Sequence, residues 1–394
     1  MNTTATQEPD TRAADAVAEI SIEQKETEGL SQGQIVRRRF FRHRGALIAM
    51  IVLALIIIMA FTSVGVDLWG LRIPGWWTYR WDEIAPKVNN GVPTLSLFPP
   101  QFGEHPFGQD EVGRDIFAVV MRGAQQSLMV MAIAGVVATV IGVVIGAIAG
   151  YYGKVTDSVL MRFTDIVITI PLIVIGAVLG KTFGSLGAAV LGVVIGVFAW
   201  TTMARLVRGE FLTLREREFV DAARVSGARD RRIIFRHILP NAVGVIVVNA
   251  TLLMAGAILL ESALSYLGFG VQPPDTSLGK IVSDNQAAFS TRPWLFWWPG
   301  IFIIAIALCV NFIGDGLRDA FDPRQKKMPS ERAMRRAGRA TGPVVPILDT
   351  TDPDGPHTVT VPMEAVYTGD VVNYHDERPE EPGDAQHEPL DPER

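Results

Sequence analysis

The chain has 394 residues, 48% of them apolar and 20% charged, with a formal net charge of −5 and one cysteine. Its mean hydropathy is +0.26 although both ends are strongly polar. The apolar residues are therefore concentrated in the middle, which argues against a soluble globule, while the lone Cys309 excludes an intrachain disulfide and a cysteine metal cluster.

Residues 1–30 are rich in Thr, Ala, Glu and Gln and hold little that could form a core, a disordered composition. The first apolar run begins near Gly45 without a small-residue cleavage pattern after it, so a cleaved signal peptide is not expected. "RRRFFRHRG" sets five arginines between Arg37 and Arg44 directly before a span at about 45–65, which places the N-terminus in the cytoplasm. A polar segment at about 66–120 follows. Its "WGLRIPGWWTYRWDE" carries tryptophans suited to the outer membrane interface.

Five more spans are predicted at about 126–151, 158–180, 184–206, 241–268 and 295–316, each long enough to cross a bilayer core of about 30 Å as a helix. Six crossings return the chain to the cytoplasm. Residues 207–240 then fall inside, and this stretch carries Arg208, Arg215, Arg217, Arg224, Arg229, Arg231, Arg232 and Arg236. The outer loop at 269–294 holds only Lys280 and Arg292, so charge and alternation agree. Gly142, Gly146 and Gly150 repeat at four-residue spacing and line one helix face for close packing. Pro171 and Pro299 fall within spans and are expected to kink them. The tail, residues 321–394, turns basic and then acidic and Pro-rich, a largely disordered composition; "HTVTVPMEAVYTGDVV" from His357 has strand-like residues that could pair with a partner, but an unstructured segment is the expectation there too.

The most charged stretch between spans is "FVDAARVSGARDRRIIFRHILPNA", residues 219–242. Helical spacing from Glu218 to Ser226 puts Ala222 and Ala223 on the surface of a short helix, and Gly227 suits its C-terminal cap. A second short helix, about 230–239, presents Ile233, Ile234 and Leu239 before Pro240 starts the next span. A basic helix resting on anionic lipid accounts for the arginines. It does not account for the alanines and glycine, which suit a surface that seats in a groove.

At these residues the sequence resembles the permease subunits of bacterial ABC importers. Their signature is Glu-Ala-Ala, three residues, Gly, nine residues, then Ile-x-Leu-Pro. Here it reads Asp221-Ala222-Ala223, Gly227 and His237-Ile238-Leu239-Pro240, with Asp for Glu and His for the first Ile. "HPFGQDEVGRDIF", "LLESALSYLGFGVQPPDTSLGKIV" and "GDGLRDAFDPR" resemble phrases of the second permease subunit in the dipeptide, oligopeptide and nickel branch, and the likeness covers about residues 32–325.

The resemblance implies an all-α integral membrane protein with six transmembrane helices in the type I ABC importer permease fold, in the cell membrane, with both termini cytoplasmic. It divides the chain into a cytoplasmic N-terminus (1–30), the first span with an external segment (31–120), a core of five spans with the coupling loop 207–240 (121–320), and the tail. It implies a non-catalytic subunit forming half of a peptide pathway. The partners would be a second permease, two ATP-binding subunits, an extracytoplasmic substrate-binding protein and membrane lipid, with no cofactor and no nucleic acid. Asp221, Ala222, Ala223, Gly227, His237, Ile238, Leu239 and Pro240 would dock on the ATPase. Nickel or another small solute is the alternative cargo. A gradient-driven secondary transporter and a scaffold acting through the tail are the alternative classes.

No nucleotide site is expected. "GAVLGKT", Gly176 to Thr182, resembles a phosphate loop but has three residues between its glycines and interrupts an apolar span. His105, Asp110, Glu111 and Asp115 crowd one external stretch without a second histidine at ligand spacing, so a structured lid or a partner contact is expected rather than a metal site. Glu261, a carboxylate within a span, must face a cavity or a partner. It either lines the translocation path or makes a packing hydrogen bond. Asp165 is expected to pair with Arg162 one turn away, and Asn311 and Asp315 to brace the last span.

Overall fold

The computed structural model describes residues 32–68, 71–97, 100–321, 344–349 and 357–362. The chain divides into two units, Met1–Pro323 and Arg324–Arg394. In the first, α1 (Gln32–Phe40) turns through Phe41–His43 into α2 (Arg44–Ser63). His43 makes the corner by accepting the Ala46 N–H at 3.0 Å through Nδ1, which satisfies one of the free donors of the new helix. An external stretch with two small antiparallel strand pairs follows, β1 (Val66–Leu68) with β2 (Leu71–Ile73) and β3 (Ser96–Leu97) with β4 (Pro100–Gln101). It leads into α3 (Ile116–Tyr152), 37 residues long.

The next two spans are broken. α4 (Lys154–Thr169) and the helix that follows, α5 (Leu172–Phe183), bend by 75° at Pro171. That kink was legible, because proline lacks the donor and clashes with the preceding turn; the same expectation at Pro299 does not break its span, since the last helix runs through it from Trp294 to Phe321. α6 (Ala188–Ala199) and α7 (Thr201–Leu214) bend by 47° at Trp200, where no proline or glycine gives warning. α8 (Glu218–Val225) is the short helix of the charged loop. α9 (Asp230–Tyr266) is continuous, α10 (Leu278–Asp284) lies in the following loop, and α11 (Trp294–Phe321) is last. Among the described residues four helices, α2, α3, α9 and α11, are long and apolar enough to cross a membrane, and the number is six if each bent pair is one span.

α3 is the central post. Added Cβ atoms would stand 2.6 Å from Met203 Cβ at Gly142, 2.5 Å from the Ala204 carbonyl at Gly146 and 2.6 Å from Phe211 Cβ at Gly150. From the other side, Gly192 and Gly196 meet the backbone of Val130 and Ala134. The predicted glycine stripe is thus a seam, with α6 and α7 lying parallel along one face of α3 in a steady register. Small residues are required because backbone meets backbone. The outward faces stay apolar and exposed, as with Ile48, Ile51, Leu55 and Ile58 on α2, which suits contact with lipid.

In the second unit β5 (Val344–Asp349) pairs antiparallel with β6 (His357–Pro362), from Val344 opposite Pro362 to Asp349 opposite His357. The strand-like run of the tail therefore finds its partner within the chain. The N-terminal residues 1–30 and the rest of the tail lie outside the described residues.

Candidate coupling site

α8 projects between α7 and α9. Val220 is fully buried and packs with Ile233, Ile238, Tyr151 and Phe211, so one face of the helix is anchored. Asp221 and Ala222 are exposed and Ala223 is half-buried. The helix ends as the spacing suggested. Gly227 has φ +76°, its N–H donates to the Arg224 carbonyl at 2.9 Å, and Ala228 N–H reaches back to the Ala223 carbonyl at 3.0 Å. This is the six-to-one closure of a left-handed helix cap. No atom lies within 4 Å of a Cβ added at Gly227, so it is the backbone conformation and the open space beside it that favour glycine.

The loop is less bare than the alanines suggested. Phe219, Val225 and Phe235 expose 40%, 89% and 61% of their surface around it. Together with the charged residues around them they leave a mixed apolar and charged surface on the projection. The rest of the motif lies at the foot of α9. Ile238 is fully buried, His237 and Leu239 are half-buried, and Pro240 is exposed. The second short helix does not stop at Pro240 but runs on into the span through a π-helical turn, Ile233–Ile238, in which Leu239 N–H bonds the Ile234 carbonyl five residues back. Such turns widen a helix locally and are frequent at functional positions.

The arginines divide into two sets. Arg208 holds Asp157 of α4 in a two-pronged pair, Nη2 to Oδ2 at 2.6 Å, and Arg205 meets Asp165 at 2.5 Å. Asp165 thus pairs across to α7 and not with Arg162, because the 47° bend carries Arg205 over it. Arg215 donates to the carbonyls of Gly150 and Tyr151 at 3.2 and 3.3 Å, capping α3. Arg217, Arg229, Arg231, Arg232 and Arg236 are exposed and have no ion pair among the described residues. Asp221 pairs with Arg224 at 2.9 Å.

At the opposite end, Glu261 is fully buried. Its Oε2 accepts from Ser127 Oγ of α3 at 2.8 Å and its Oε1 from Ser265 Oγ at 2.7 Å. Both serine oxygens in turn accept backbone N–H groups, Leu278 at 3.3 Å and Val271 at 3.2 Å. The carboxylate is therefore closed off within one network that ties α3, α9 and the loop before α10. It lines no open passage in this chain, and the packing alternative fits the geometry. Arg122 reinforces the same junction through Asp275, Nη2 to Oδ1 at 2.7 Å.

The external stretch is built on buried polar groups. His105 Nδ1 lies 2.7 Å from Asp115 Oδ2, while Asp115 Oδ1 accepts the Ala118 N–H at 2.8 Å and the Trp77 indole at 3.1 Å. Burial pushes the Asp115 carboxyl above the usual range, and the hydrogen bonds from His105, Ala118 and Trp77 pull it part of the way back. Asp110 Oδ1 accepts three successive backbone N–H groups, from Val112, Gly113 and Arg114. These side chains fold the segment, and among the described residues no group of three or more candidate ligands could hold a metal. Trp77 packs on Phe117 at 4.6 Å, while its neighbour Trp76 is exposed. Gly176–Thr182 lies inside α5 and forms no loop that could cradle a phosphate. Asn311 bonds only the Ala307 carbonyl of its own helix, and Asp315 is exposed.

A bundle of four unbroken and two broken spans, with a small motif-bearing helix projecting from one end, defines a multi-span transport permease. Residues 142–327 match the family of binding-protein-dependent transport system inner membrane components, and residues 31–68 match the N-terminal transmembrane domain of oligopeptide transport permease C. The chain belongs to this family of permease subunits, which are non-catalytic membrane components. It is 38% identical over 323 residues to the oligopeptide transport system permease protein OppC of Haemophilus influenzae, covering 82% of this chain and 98% of that one. To the protein of the same name from Mycobacterium tuberculosis it is 36% identical over 314 residues, covering 79% and all of the relative. A chain of the inward-facing MetNI methionine ABC transporter aligns with a TM-score of 0.42 at 20% identity, over 52% of this chain and 96% of that one.

Sequence reasoning missed Ser127, the Trp200 bend and the contact of Tyr151 with Asp230. The spacing of Glu261 and Ser265, one turn apart, was a readable signal for half of the serine network; Ser127 is distant in sequence and gave none.

Proposed function

We propose that this chain is one of two permease subunits in an ATP-driven importer of short peptides, with the loop 207–240 and both termini on the cytoplasmic side. Exposed Phe219, Val225 and Phe235 around Ala222 and Gly227 are the observation that carries the reading, since large apolar side chains flank the small residues on a face that a partner protein can cover. Asp221, Ala222, Ala223 and Gly227 seat in a groove of a cytoplasmic ATPase subunit, and His237, Ile238, Leu239 and Pro240 join that plug to α9. ATP-driven closure of two such subunits moves the spans as rigid bodies between two accessible states. An extracytoplasmic binding protein delivers the peptide. Glu261 acts as a brace at the outer end of the bundle, not as a peptide ligand.

The test is co-purification of the tagged chain from native membranes in mild detergent, with mass spectrometry of its partners. Wild type brings down a second permease, two kinds or copies of ATPase and a binding protein whose bound ligand identifies the cargo as peptide, nickel or another solute. Ala222→Arg, an exposed position on a formed helix, loses the ATPases and keeps the second permease; Gly227→Arg does the same. Absence of any ATPase from folded wild-type protein would overturn the proposal in favour of a gradient-driven carrier or a scaffold.

A further inference from the structure

The foot of α3 is held in two ways. The first is apolar: Tyr151, 8% exposed, lies in one cluster with Val220, Ile233 and Ile238, contacts that resist separation but tolerate sliding. The second is directional. Tyr151 hydroxyl donates to Asp230 Oδ1 at 2.7 Å, across 79 residues of sequence, and the Arg224 guanidinium also interacts with that hydroxyl. Arg224 lies just before the Gly227 turn and Asp230 just after it, so the hydroxyl is hydrogen-bonded to one flank of the turn and lies within the electrostatic reach of the other. Arg224 is in turn gripped by Asp221, the first residue of the docking motif. The exposed motif therefore reaches Tyr151 through the apolar cluster around Val220 and through the charge of Arg224, which Asp221 holds, and Tyr151 in turn bonds Asp230, where α9 begins and three residues before its π turn.

Such a contact is directional and weakens steeply once its geometry is lost. We propose that Tyr151 is the positioning residue through which displacement of the docking helix is passed to α3 and α9 together, so that its hydroxyl sets the coupling of ATP turnover to movement of the spans. The inference rests on the reading of α8 as the ATPase-docking element. Arg215 on the Gly150 and Tyr151 carbonyls fixes α7 to the same foot, so movement that reaches Tyr151 is shared by three helices.

The test uses the complete transporter in nanodiscs and proteoliposomes, with its binding protein supplied with a mixed short-peptide hydrolysate. Tyr151→Phe keeps the ring in its apolar cluster and removes only the hydroxyl. The expected result is unchanged recovery of ATPase subunits and unchanged basal ATP turnover, with stimulation by loaded binding protein and peptide taken up per ATP each reduced roughly tenfold. That is the effect of about 1.4 kcal/mol, at the upper end of the range for an ordinary hydrogen bond and just below that for one to a charged group. Asp230→Asn, which keeps an oxygen acceptor, retains most of the coupling. Asp230→Ala matches Tyr151→Phe, and the double variant is no worse than either. Wild-type stimulation and uptake per ATP in Tyr151→Phe would overturn the inference, as would additive losses in the double variant. Failure of wild type to bind ATPase subunits at all would overturn the underlying docking reading and this inference with it.

Discussion

Glu261 and its serines show how a costly residue is kept in a membrane protein. Each carboxylate oxygen accepts a hydroxyl, and each hydroxyl oxygen accepts a backbone N–H, so no member of the network is left without a partner. Ser127→Ala strands both Glu261 Oε2 and the Leu278 N–H in a buried site, and the cost should be about 1–3 kcal/mol. Thermal unfolding of the purified chain in detergent should show a lower midpoint, whereas Glu261→Gln should lie much closer to wild type. An unchanged midpoint in Ser127→Ala would show that the network is dispensable. Asp115 gives a pH signature. Because its native carboxyl is raised by burial, its contribution to stability is complete below the ordinary aspartate range and is lost as pH rises through the raised native value. Trp77 fluorescence during unfolding should follow that decline in wild type. Asp115→Asn, which caps α3 without ionising, should flatten it. Glu261 was legible as an anomaly from its sequence neighbours, and Gly227 as a cap. The hydroxyls that complete each site were not legible, because serine and tyrosine partners come from helices over a hundred or nearly eighty residues away, and nothing local marks them.

At the level of elements, the glycine seam sets what the helices tolerate. Gly146→Val should be severely destabilising, since the new side chain would begin 2.5 Å from the Ala204 carbonyl and only movement of α7 could relieve it. Overpacking of this kind commonly costs about 1–3 kcal/mol and more where backbone must shift. Gly209→Ala on α7 itself meets nothing within 4 Å and should be neutral or slightly stabilising through helix propensity. Expression and size-exclusion behaviour of the two variants in detergent would compare them directly; equal behaviour would mean the seam is loose. The spans were readable because apolar length is a strong signal, and the Pro171 break because proline states its own reason. The Trp200 break was not readable. It arises where α6 and α7 must both stay against α3, a tertiary demand that leaves no local composition behind.

For the whole molecule, the division at Pro323 separates a membrane unit from a tail whose described part is one hairpin. Truncation after Arg324 should leave peptide uptake within about twofold of wild type in proteoliposomes, because tolerance to truncation follows from the burial and bonding of the backbone removed. A complete loss would favour the scaffold reading. The order of spans and the family were legible from sequence, since each is written in contiguous residues; what joins the two ends of the bundle was not. α3 supplies that connection. Its 37 residues make a rod about 55 Å long, seated at one end among Tyr151, Arg215 and Asp230 and at the other on Asp115 and Ser127. Such a rod is a lever. A tilt of about 5° at its foot would swing the far end by about 5 Å, wider than a water molecule, so under the proposed docking of α8 a small rocking of that helix would suffice to open or shut a passage at the opposite face.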